Sequence, residues 1–177
     1  MSSRSMIQPS NILEYPLISR IRRNHGLEHA TLHVLAKYLP HTMLGGHSDT
    51  DGFWIIGDVP SETLHAAVQE AISRLRAGES NLAIHPNCGT NYATMGALAG
   101  LAGAASMFGS GKYIRDKLNR LPVAVALATL AVIISRPLAF RIQERVTTSG
   151  NPGSLEVTQI SHKQHGRMTV HRIQTRG

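Results

Sequence analysis

The chain has 177 residues, 42% of them apolar and 16% charged. That balance excludes a wholly disordered chain, which would be charge-rich and apolar-poor, and a single cysteine excludes an internal disulfide framework. Lys and Arg outnumber Asp and Glu by 18 to 11, but the excess is local: residues 1–109 hold seven basic and eight acidic side chains, and residues 110–177 hold eleven and three.

In chain order, residues 1–17 read as a flexible leader. They contain no continuous apolar core of the kind that opens an export signal, so the N-terminal module is expected in the cytoplasm. Residues 18–39 read as a helix that ends before Pro40. At 100° per residue, Ile21, His25, Glu28, Leu32, Leu35 and Leu39 share one stripe, and Leu27, Ala30 and Val34 lie roughly opposite. A helix apolar on two sides is sandwiched, so His25 and Glu28 point into packed surroundings where polar groups need partners. Residues 42–58 read as a β-hairpin turning at Asp51-Gly52. Ser61 is expected to cap a helix over 62–77, where Leu64, Val68, Ala71, Ile72 and Leu75 have amphipathic spacing. Residues 82–85 read as a short strand, and 86–91 (PNCGTN) as a turn.

Two charge-free runs follow, residues 92–109 and 121–135, the second resuming through Pro137–Phe140 after Arg136. Around the polar stretch between them they read as a helical hairpin, near the lower length limit for crossing a bilayer. Gly96 and Gly100 make a GxxxG step, which lets helices approach closely in lipid and offers a face for a second copy of the chain. The basic residues that flank the runs suit anionic headgroups. Nucleic acid is not an expected partner: from residue 141 onward there is no Phe, Trp or Tyr to stack a base. Residues 141–177 read as a basic tail with a β-hairpin over 154–160 and 168–174 around Gly166, its His162, His165 and His171 facing solvent. The expected architecture is α+β: a module over 18–91 (helix, β-hairpin, helix, strand), an apolar helical hairpin over 92–140, and a C-terminal β-hairpin.

His25-Gly26-Leu27-Glu28-His29 forms an HxxEH pattern. Histidines four apart on a helix share one face and can reach a single ion, and the glutamate between them can take a proton from a water activated by that ion. His33 continues the row, although a flanking surface position suits it better. His85 and Cys88, in His85-Pro86-Asn87-Cys88-Gly89-Thr90-Asn91, are candidate third ligands, because imidazole and thiolate both suit zinc or another divalent transition metal. The same turn starts a helix, whose N-terminal amides favour an anion and would lower the pKa of Cys88, making it a candidate nucleophile with His85 as base.

In these residues the chain resembles an uncharacterised bacterial family that shares an RRNHxLEHAT-like helix (Arg22–Thr31), a GFW–GDVP strand (Gly52–Trp54 and Gly57–Pro60) and an HPNCGTN turn (His85–Asn91). The resemblance covers roughly residues 20–140 and implies no particular activity. The HxxEH segment is also similar to that of inverted-zincin peptidases. Those enzymes take a third ligand from a downstream glutamate, and Glu62, Glu70 and Glu79 do not have that spacing. The expected function is a membrane-anchored metal-binding protein, with His25, His29 and His85 or Cys88 as ligands. It would be a metal-dependent hydrolase if Glu28 is the general base. The alternative is a membrane scaffold or assembly factor in which the same cluster is structural or binds a cofactor.

Overall fold

A computed structural model describes residues 11–165 and 168–177. The expected leader through Ser10, and Gly166, about which the C-terminal hairpin is expected to turn, lie outside the described residues. The chain divides into two compact units, one made of residues up to His85 together with Val146–Gly177, the other of Pro86–Arg145.

The first unit opens with a short 3-10 turn, Ile12–Glu14, and helix α1, Pro16–Tyr38. Pro16 occupies the first helical turn, where its fixed φ suits a helix and its missing N–H costs nothing. Strands β1 (Gly45–Asp49) and β2 (Gly52–Ile56) form the expected hairpin, and helix α2 spans Ser61–Arg76. Ser61 is not a cap: Pro60 flanks the helix and no side chain caps it. The helix starts one residue earlier than expected, which puts the Ser61 hydroxyl inside the first turn.

Strands β3 (Glu156–His165) and β4 (Met168–Arg176) complete an antiparallel sheet of order β1-β2-β4-β3. A bulge near Thr158 interrupts the β3–β4 register. Phe53 pairs with Ile173 and Ile55 with His171 across β2 and β4, so these four share a face. Phe53, Ile55 and Ile173 join one buried cluster with Leu27, Val34 and Leu35 of α1 and Leu64, Val68, Ala71 and Leu75 of α2. His171 is therefore a correction to the expected solvent-facing tail: it is fully buried, and its Nε2–H donates to the Val59 carbonyl at 2.9 Å. His162 is exposed, as expected.

Residues 82–85 also differ from expectation. Ser80–Ala83 form a 3-10 turn, and residues 82–85 carry no strand. The carbonyls of Ala83 and Ile84 are bonded to histidine side chains of α1 rather than to a neighbouring strand.

The second unit is a pair of packed helices, α3 (Gly89–Ser106) and α4 (Ile114–Ile142), the latter running into a π-turn at Gln143–Thr147. The stretch Ile114–Thr147 is long and apolar enough to cross a membrane; among the described residues no other helix is. Pro122 and Pro137 lie within α4, a placement that membrane helices tolerate. Gly103 brings α3 against α4, within 3.9 Å of Ala128 Cβ measured from where its own Cβ would stand, whereas Gly96 and Gly100 face open space.

Candidate metal centre

Helix α1 is buried almost continuously from Asn24 to Leu35, so each polar residue of the HxxEH segment meets protein. His25 Nδ1 lies 2.9 Å from the Thr147 carbonyl and His29 Nδ1 lies 2.8 Å from the Ala83 carbonyl. A carbonyl can only accept, so both rings carry their proton on Nδ1, and this tautomer puts the lone pair on Nε2. A metal-ligating histidine is held in this way, with its other ring N–H on a backbone carbonyl that fixes the ring and raises its basicity. The two ring centroids are 4.3 Å apart, and a ring nitrogen of each lies within 4.8 Å of the other.

His33 Nε2–H donates to the Ile84 carbonyl at 2.8 Å. His85 completes a group of four imidazoles: its centroid is 5.5 Å from His29 and 4.9 Å from His33. Burial first, and then His33 and His29, push the pKa of His85 down to about 4. At neutral pH it is an uncharged imidazole, the form that binds metals. His33 is thus half-buried and part of the cluster, not a flanking surface residue. The signal that could have promoted it was its i+8 position in the row from His25.

Glu28 is 4% exposed. Its carboxylate lies over the backbone of Gly46 on β1, where a Cβ would collide with it. Gly26 has a similar role on the neighbouring face of α1. A Cβ there would strike the Ser149 carbonyl and press on Ala83 Cβ, while Ser149 N–H donates to the Arg22 carbonyl at 2.9 Å. The bare glycine lets the segment carrying Thr147 and the turn carrying Ala83 both close on α1, and these are the segments that orient His25 and His29.

Sequence reasoning missed Asn24. It is fully buried, donates to the Asp49 carbonyl at 2.8 Å and accepts from the Thr175 hydroxyl at 2.7 Å. It ties α1 to both β1 and β4, the elements beside Glu28 and His171. No local pattern marks it, because its partners are distant in the chain.

Cys88 belongs to the second unit, where it is buried and flanks the first turn of α3. In the same unit Asn91 donates to the Pro86 carbonyl at 3.1 Å and to Gln143 Oε1 at 3.3 Å, which ties the start of α3 to the end of α4.

A relative from Picosynechococcus sp., described as an uncharacterized protein, is 39% identical over 139 residues. The match takes in 73% of this chain and 66% of that protein, so the chain spans slightly under two thirds of its relative's length. No solved structure matches the chain. The model of a family described as a domain of unknown function (DUF6391) matches residues 20–160, and the chain belongs to that family.

Proposed function

We propose that this protein is a membrane-anchored metal-binding protein, in which His25 and His29 hold zinc or another divalent transition metal through Nε2. The observation that carries this is the pair of Nδ1–H bonds to the Thr147 and Ala83 carbonyls, which commits both imidazoles to one tautomer on one helix face. The third ligand comes from His85, a neutral imidazole in the same cluster, or from Cys88, three residues further along the chain. The exposed apolar surface of α4, including Val125, Ile133 and Ile134, supports anchoring in lipid. The Gly96/Gly100 face, open in the single chain, supports contact with a second copy.

In the hydrolase form of this reading, Glu28 is the general base, a buried carboxylate between the two histidines in sequence. A scaffold role is the second reading, favoured by the packing of the Glu28 carboxylate over Gly46, which gives it a structural task on β1.

Elemental analysis of the full-length protein, purified in detergent without a histidine tag, tests the proposal. About one equivalent of transition metal is expected, lost in His25→Gln and in His29→Gln. Absence of metal, with none taken up on titration, would sink it. Between His85→Gln and Cys88→Ser, the variant with the weaker affinity identifies the third ligand. Glu28→Gln separates the two forms: a base can be removed with metal content and melting temperature retained, whereas a structural carboxylate cannot.

A further inference from the structure

The chain leaves the first unit at His85 and re-enters it at Val146. Residues 52–56 of β2 then pair with residues 170–174 of β4. A strand ladder cannot form across a bilayer, so the segments before and after the helical hairpin share one compartment. Any membrane crossing between them must be matched by a second. The stretch Ile114–Thr147 is long and apolar enough to cross. A crossing by α4 alone would part β2 from β4.

We propose that α3 also crosses, so that the hairpin spans the bilayer twice and the loop between its helices, residues 107–113, lies on the face opposite residues 11–85 and 146–177. This rests on the membrane-anchored reading above and adds its topology.

On hydropathy alone α3, rich in Gly and Ala, falls short of a span. Its 18 residues rise about 27 Å, close to the roughly 30 Å of a hydrocarbon core. Its packing against α4 compensates, since close contact between small residues is what associates helices in lipid. Two polar contacts mark the ends of the pair. Asn91 bonds Gln143 at one end, and at the other Arg120 donates to the carbonyls of Ser106 and Phe108, both at 3.1 Å.

Aromatic side chains lie near the same two levels: exposed Tyr92 and part-buried Phe140 at the first, exposed Phe108 and Tyr113 at the second. Tyrosine concentrates where hydrocarbon meets water. At or beyond the second level, Lys112, Arg115, Lys117 and Arg120 are all exposed, as headgroup contacts would be. Arg136 is also exposed and lies short of the first level, within reach of the interface by snorkelling.

Single cysteines at Glu62, Ser154 and Ser110, introduced one at a time into the full-length chain, test this. Each is probed with a membrane-impermeant maleimide on sealed vesicles and again after detergent, with the parent chain as the measure of Cys88 labelling. Glu62→Cys and Ser154→Cys should label from the same side, and Ser110→Cys only from the other. Labelling of all three from one side would overturn the double crossing while leaving the anchor intact. Opposite labelling of Glu62→Cys and Ser154→Cys would also overturn it. Recovery of the parent chain in the soluble fraction would overturn both the topology and the anchor, without bearing on the metal.

Discussion

Gly26 is the residue on which the histidine geometry turns. Alanine normally favours a helix interior over glycine by about 1 kcal/mol, so on propensity alone Gly26→Ala should stabilise α1. The Ser149 carbonyl lies where the new methyl would go, and backbone cannot swing aside as a side chain can. Overpacking of this kind costs about 1–3 kcal/mol. A lower denaturation midpoint is therefore expected, and on the metal-binding proposal weaker metal uptake with it, because Thr147 and Ala83 are pushed off His25 and His29. A midpoint equal to or above that of the parent would show that the close approach is not maintained.

His171 gives a second residue-scale outcome. Burial first, with His162 adding to it, lowers its pKa from the ordinary value of 6.5, against a smaller opposing effect of its bond to Val59. The folded chain keeps the ring neutral, while the unfolded chain takes up a proton once the pH falls below 6.5. The stability contributed by the neutral ring is thus fully present above that pH and is lost as the pH drops toward the lower folded value. Denaturation midpoints measured between neutral and mildly acidic pH should fall, and His171→Asn should fall less steeply than the parent. Equal slopes would argue against it.

At the scale of elements, the two helices of the hairpin use their glycines differently. Gly103 stands against Ala124 and Ala128 of α4, whereas Gly100 meets nothing within 4 Å. Gly103→Leu should therefore force the helices apart at a cost of about 1–3 kcal/mol, seen as a lower melting temperature in detergent. Gly100→Leu should leave that temperature unchanged. If copies of the chain associate through the open face, Gly100→Leu should abolish the dimer in crosslinking while the hairpin itself persists. Similar effects of the two substitutions on melting would contradict the packing seen here.

On the scale of the whole molecule, the C-terminal strands are part of the first unit's fold and not an appendage to it. Ile173 covers Phe53, and β4 saturates the inner edge of β2. A chain ending at residue 145 should lose cooperative unfolding and protease resistance in residues 11–85, because an uncovered apolar strand edge is left behind. A sharp melt in that fragment would overturn this dependence.

Much of the architecture was legible from local chemistry. The spacing of Leu64, Val68, Ala71 and Leu75, the Asp51-Gly52 turn and the two charge-free runs each carry their own signal within a few residues. The nearness of His25 and His29 was equally legible, from their spacing of four on a helix. What the linear pattern could not supply was everything that depends on partners far along the chain: the carbonyls of Thr147 and Ala83 that orient His25 and His29, the place of His33 beside His85, the burial of His171, and the bonds of Asn24 to Asp49 and Thr175. Helix periodicity and turn preference act over a few residues. The contacts of Asn24, His25, His29, His33 and His171 form only when segments 25 or more residues apart meet, and it is there that a row of histidines becomes an oriented set of hydrogen-bond donors.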